Sequence, residues 1–169
     1  MPTPLSLNVS PMVLVEAAAP GSMLRSADRP LVIEVTEHDQ IADYAAVGQA
    51  VHAAGHSTRL AVDDAGVGVA NLNRIIEPRP DFLKLDISLV RGISQDLGRQ
   101  AMVVGLRHFA RTAGCRLIAE GLETEQEAMT LRRLGVEFGQ GYLLGRPEPV
   151  EAREQPAPRL QAGAASAPG

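Results

Sequence analysis

A chain of 169 residues, 45% of them hydrophobic and with a net charge of -4, can hold one domain with its own core and offers no basic surplus for double-stranded nucleic acid. With 3% aromatics, that core has to be built from Val, Leu, Ile and Ala, a composition that suits parallel strands buried under helices. The single cysteine, Cys115, excludes an intrachain disulfide and a thiolate metal cluster, and reads as a buried, inert thiol.

In chain order the first element is a strand over 5–9, followed by a helix over 11–19 that opens with Ser10 as cap and Pro11 at its first position. A second strand over 30–35 leads to a helix over 40–54, apolar at Ile41, Tyr44, Val47, Val51 and Ala54 and stopped by Gly55. Strands over 59–63 and 82–86 come next, and a helix over 97–113 ends at Gly114. A strand over 116–120 precedes a helix over 124–134 that begins with the capping-box pattern Thr124-Glu-Gln-Glu127 and ends before Gly135. The last strand spans 137–143. Strands that alternate with helices pair in parallel. The fold expected is therefore α/β, a TIM-like barrel left incomplete with about six of eight strands. Residues 1–149 form this domain, and the Pro-, Ala- and Gly-rich stretch 150–169 reads as a disordered tail. No run reaches the roughly 18 apolar residues of a membrane span and no signal peptide opens the chain, so a cytoplasmic protein is expected.

Four of these strands run into carboxylates at their C-terminal ends: Glu34 and Glu37, Asp63 and Asp64, Asp86, and Glu120 and Glu123. Parallel strands bring those ends to one mouth, where clustered negative charge calls for a cation. Oxygen donors of this kind, with Asn8 as an amide at the end of the first strand, suit Mg2+ or Mn2+. Two such ions polarise a phosphoester and activate water for in-line attack. Lys84 shares a strand face with Asp86 and either serves this mouth or forms an interior ion pair with that aspartate. In Gln140-Gly141-Tyr142 the glycine permits close backbone approach, the glutamine can bind water or substrate and the tyrosine offers a flat ring. His38 reads as a rim residue, and His52, His56 and His108 as surface or helix-packing residues.

Taken together, Asn8-Val-Ser10, Glu34-Val-Thr-Glu37, Asp63-Asp64 with Gly66 and Gly68, Lys84-Leu-Asp86, Glu120-Gly-Leu-Glu-Thr124 and Gln140-Gly-Tyr142 resemble the EAL domain family, bacterial phosphodiesterases that linearise cyclic di-GMP to 5′-pGpG with two magnesium or manganese ions. The resemblance implies metal ligation by Asn8, Glu34, Asp63, Asp64 and Glu120, with Asp63 bridging the two ions. It implies catalytic roles for Lys84, which would hold the attacking water, and for Glu120, Asp64 and Gln140. Asp86, Glu123, Tyr142 and Glu37 fall at substrate-contacting or supporting positions, Glu37 steadying the loop after Asp64. The Glu-Ala-Leu segment that names the family is absent before Asn8, and the loop Ala65-Gly-Val-Gly-Val69 lacks the family's aromatic and hydroxyl groups. Feeble turnover is therefore expected of these residues alone, and the alternative is an inactive EAL-like fragment acting as a binding or dimerisation module. The expected partners are cyclic di-GMP and a second copy, joined through the barrel edge or the loop after Asp64. A sensory domain upstream in the full protein would accord with the resemblance.

Overall fold

The structure is a computed structural model that describes residues 4–10, 13–14, 29–35, 44–55, 57–65 and 77–149, with Asp64 and Ala65 described through their backbone. Its strands are β1 (Leu5–Asn8), β2 (Leu31–Val35), β3 (Thr58–Ala65), β4 (Phe82–Leu85), β5 (Arg116–Ala119) and β6 (Phe138–Gly139). The helices are α1 (Tyr44–Ala54), α2 (Ile87–Val90), α3 (Leu97–Ala113) and α4 (Glu125–Arg133), and Ile93–Gln95 forms a 3-10 turn. All neighbouring strands pair in parallel, in the order β1-β2-β3-β4-β5-β6, giving an open, curled half-barrel. No helix among the described residues is long and apolar enough to cross a membrane.

Alternation along each strand divides the work between two faces. Leu31, Ile33, Val35 and Leu60 pack with Leu14, Val47, Ala50 and Val51 under α1. Leu83, Leu85, Leu117 and Ala119 pack with Val103, Ala110, Leu131 and Val136 under α3 and α4. The intervening residues of β2 and β4, Glu34 and Lys84, are buried as well, at 8% and 2% exposure, and belong to neither apolar cluster. Cys115 is buried, as expected; burial pushes its thiol up while a backbone hydrogen bond pulls it back.

Two helix boundaries follow from local chemistry. Asp96 caps α3 by accepting from the Arg99 amide at 3.1 Å, and Gly114 ends it in the left-handed region at φ 79°. The capping box at α4 is present: Thr124 Oγ1 accepts from the Glu127 amide at 3.2 Å, and Glu127 accepts from the Thr124 amide at 3.1 Å. Glu127 reaches further than a box requires, accepting also from the amides of Glu123 at 3.3 Å and of Gly92 at 2.9 Å. One carboxylate thus ties the chain after β4 to the chain after β5.

Burial works to raise the Glu127 carboxyl, but the donors on Gly92, Glu123 and Thr124 outweigh it and hold it below the ordinary value. Its stabilising share is therefore present above the unfolded glutamate value of about 4.3 and is lost as pH falls through the lower folded value. We expect Glu127→Ala to cost about 3 kcal/mol near neutral pH, with the gap to wild type steady from pH 5 to 8 and narrowing in stronger acid. Urea melts from pH 8 down to about pH 3 check this, since both glutamate values are passed only below about 4.3; a gap as wide at the acid end as at pH 7 would contradict it.

The structure corrects several sequence-based expectations. The strand expected over 137–143 is limited to Phe138–Gly139, because the chain turns at Gly141, where φ is 153° and an added Cβ would collide with the Leu122 backbone. The strand expected over 82–86 stops at Leu85, so Asp86 leaves the ladder and caps α2, accepting from the Ser88 amide at 2.8 Å. The helix expected over 11–19 is described only at Val13 and Leu14, which are helical. The helix expected over 40–54 is described from Tyr44. Residues 36–43, 66–76 and 150–169 lie outside the described residues, and with them Glu37, His38, the loop from Gly66 to Val69 and the tail.

Candidate functional site

The C-terminal ends of β2, β3, β4 and β5 converge on Lys84. Its Nζ lies 2.5 Å from Glu120 Oε1, 2.8 Å from Glu34 Oε2 and 3.2 Å from Asp63 Oδ2. Three carboxylates from three different strand ends thus surround one ammonium from a fourth strand. Parallel pairing makes this possible, since Lys84 stands opposite Ile118 in register and Glu120 follows one residue after β5 ends. A register shift between Val62 and Ala65 falls where β3 carries Asp63 and Asp64, in keeping with the use of irregular ladders to re-aim side chains near sites.

Burial works to lower the Lys84 ammonium, but hydrogen bonds and charge from Glu120 and Glu34 overcome it and hold the lysine well above its ordinary value. Lys84 is therefore a permanent cation at physiological pH. Burial also pushes the Glu120 carboxyl up; Lys84 pulls it back and neighbouring Asp63 pushes it up again. One ammonium among three carboxylates leaves the mouth negative, and its donors are oxygen alone. That donor set fits a hard divalent cation such as Mg2+ or Mn2+. Among the described residues no group of three or more acidic, histidine or cysteine side chains is arranged to hold a metal ion, and the point on which Glu34, Asp63 and Glu120 converge is taken by Lys84 Nζ.

Around this centre the other expected residues fall unevenly. Gln140 Nε2 donates to Glu120 Oε1 at 3.1 Å, so the turn after β6 reaches the site. Asn8 stands beside Glu34 in register on β1 and is exposed. Asp64 is placed by its backbone at the same strand end as Asp63. The Lys84–Asp86 pair weighed from the strand pattern does not form; Asp86 is engaged as the α2 cap. Thr124 caps α4, and Glu123, one residue before it, pairs with Arg91. Tyr142 is exposed, with the Arg146 guanidinium 4.5 Å from its ring centre. A cavity of about 370 Å³ beside Gln140 is lined by Ile87, Arg91, Gly121, Glu123, Tyr142 and Pro147, among others. This places Glu123 and Tyr142 together at the rim of the mouth.

Sequence reasoning missed Ser6 and the reach of Glu127. Ser6 Oγ donates to Glu34 Oε1, so both oxygens of that carboxylate are held, one by Ser6 and the other by Lys84. The signal for Ser6 is its two-residue offset from Asn8, which puts both on one face of β1. The Thr124-Glu-Gln-Glu127 pattern marks the start of α4, but nothing in it foretells the link from Glu127 to Gly92.

A half-barrel of parallel strands, with a lysine-centred set of carboxylates at its C-terminal mouth, defines an α/β domain of the barrel class with its polar site at the strand ends. The chain belongs to the EAL domain family, whose profile matches residues 1–147. It is 29% identical over 154 residues to the probable cyclic di-GMP phosphodiesterase PdeA of Escherichia coli K12, covering 86% of this chain and 21% of that protein. The crystal structure of the EAL domain of Mycobacterium smegmatis DcpA is similar with a TM-score of 0.72 and 33% identity, over 85% of this chain and 67% of that one. The manganese and cyclic di-GMP complex of Klebsiella pneumoniae BlrP1 is similar with a TM-score of 0.69 and 31% identity, over 85% of this chain and 38% of that one. The chain thus spans about a fifth of the length of PdeA.

Proposed function

We propose that the chain carries the catalytic half of an EAL-type phosphodiesterase site, acting on cyclic di-GMP to yield 5′-pGpG. The observation that carries this reading is Lys84, buried and permanently charged, among Glu34, Asp63 and Glu120. Asn8, Glu34, Asp63, Asp64 and Glu120 would hold Mg2+ or Mn2+. Such ions, when bound, supply Lewis-acid polarisation of the phosphoryl group and a more acidic water.

The chain's own residues do the rest by position and charge. Lys84 cannot serve as a base while protonated, so its part is to donate hydrogen bonds to water or to a phosphoryl oxygen. Ser6 and Lys84 fix the two oxygens of Glu34, which limits how that carboxylate can turn. Gln140 holds Glu120 from the neighbouring strand end. Arg91, Glu123 and Tyr142, at the adjacent cavity, offer a guanidinium, an acceptor and a ring for the rest of a nucleotide.

A second reading, a binding module without turnover, is favoured by one feature: β1 is the sheet edge among the described residues, so exposed Asn8 has β2 on one side and no described strand on the other. Self-association through that edge belongs to the same reading.

The test is to incubate the 169-residue chain with cyclic di-GMP and manganese or magnesium and to follow 5′-pGpG by chromatography. A second protein, with the first two strands of an EAL relative's barrel fused ahead of β1, is assayed alongside. We expect slow turnover by the chain alone and at least about 10²-fold faster turnover by the fusion, as for restoring one well-placed transition-state interaction. A fusion that binds cyclic di-GMP without cleaving it would establish the binding module instead.

A further inference from the structure

At the end of the sheet away from the carboxylate mouth, where β5 begins, α3 and the turn after α4 leave a cavity of about 170 Å³ lined by Arg107, Arg111, Arg116, Cys115, Gly135 and Glu137, among others. Arg107 and Arg111 are four residues apart on α3 and so share one face of it. Arg116, on β5, is engaged from below: it pairs with Glu137 at 2.5 Å and its guanidinium lies 4.1 Å from the Phe138 ring centre. Arg107 and Arg111 have no ion-pair partner among the described residues. Counting Glu137 against Arg116, the cavity retains two positive charges that no described residue compensates.

Arg111 sits in the last turn of α3, where a cation complements the helix dipole, and for that residue alone this would be a sufficient account. Arg107 lies a turn further from the helix end, where the dipole effect has faded. What places it is Gly135, held at φ 82°: a Cβ there would collide with Arg107 Nε. The missing side chain lets the guanidinium lie close against the turn after α4, at the edge of the cavity.

We propose that this cavity binds a small phosphate-bearing anion through Arg107, Arg111 and Arg116, at a site separate from the carboxylate mouth. Guanidinium forks match phosphate oxygens in geometry and form charge-assisted hydrogen bonds. The volume lies below the roughly 300 Å³ at which sites for drug-sized ligands begin, so the occupant is a phosphate or diphosphate group and not a dinucleotide. Glu137 faces the same space and keeps Arg116 partly neutralised, so binding depends chiefly on the two α3 arginines.

Cys115 supplies the readout, since it lines the cavity and is the only cysteine in the chain. The rate of its alkylation by iodoacetamide is followed by intact mass, with a chelator present so that the carboxylate mouth holds no metal. Inorganic phosphate and pyrophosphate are the probes, against chloride at matched ionic strength. Pyrophosphate is expected to slow labelling at least fivefold and saturably, with phosphate acting more weakly. The Arg107→Gln/Arg111→Gln double variant should lose that protection and label in pyrophosphate as fast as in chloride. A thermal melt in chloride shows whether the variant is folded, and pyrophosphate should raise the wild-type midpoint and leave the variant's unchanged. Labelling unaffected by pyrophosphate, or protection that persists in a folded double variant, would overturn the site.

Discussion

Lys84→Met should destabilise the metal-free fold by about 3–5 kcal/mol at neutral pH, the cost of removing one partner from a buried charge cluster. Methionine keeps most of the lysine stem, so the loss comes from charge and not from a cavity. Glu34, Asp63 and Glu120 would be left facing one another without the ammonium that now lies 2.5–3.2 Å from each. Against a typical domain stability of about 5–15 kcal/mol, this is enough to unfold a marginal chain. The pH dependence has a definite sign. The folded Lys84 value lies above its unfolded one, so its stabilising share is fully present below about 10.4 and is constant through the neutral range. In the variant Glu120 keeps the burial and the Asp63 charge that push its carboxyl up and loses the lysine that pulls it back, so the variant should gain on wild type as pH falls from 8 to 5. Added manganese should restore part of the loss. Urea melts at three pH values, with and without the metal, measure this; a variant as stable as wild type at pH 8 without metal would show that the carboxylates do not depend on Lys84.

Asp63→Asn should lower manganese affinity by more than about 100-fold, beyond the 10–100-fold typical of groups that merely support a ligand. Asp63 stands within the cluster, 3.2 Å from Lys84 and close enough to Glu120 to raise its carboxyl, so it adds charge where an ion would lie. Glu37→Gln should cost less, because the resemblance gives Glu37 a supporting role. Calorimetric titration of manganese into both variants decides between them, and equal affinities would remove the distinction in role. Because asparagine retains an oxygen and nearly the same volume, the fold should survive, and the melt of the metal-free Asp63→Asn variant provides the control.

These two variants probe the part of the protein that is most legible in its sequence. Strand-forming runs that end in Glu34, Asp63 and Glu120 are readable because a parallel sheet places like ends together whatever the details of packing. The end of α3 is readable too, since Gly114 directly follows its last residue, Ala113; the Asp96 cap at its start is shown by the structure. The last strand is overestimated from sequence because Phe138 to Leu143 looks apolar enough for a ladder. Its end is decided by Gln140 and Gly141 turning against Leu122, a contact made across the sheet. Asp86 is misplaced by the strand pattern for a similar reason: two-residue alternation holds only while the strand lasts, and α2 begins immediately after it.

The amino-acid sequence by itself determined the order of the six strands, the glycine stop of α3, the capping box of α4 and the oxygen-rich character of the mouth. Each of these rests on residues near one another in the chain or on the common direction of parallel strands. Only the tertiary structure decided that Lys84 lies at the centre of the carboxylates, that Ser6 holds Glu34 and that Glu127 joins two loops. It alone brought Arg107, Arg111 and Arg116 around one cavity. Those arrangements depend on strand register, sheet curl and the positions of turns, which are set by packing between residues far apart in sequence. No local pattern carries that information.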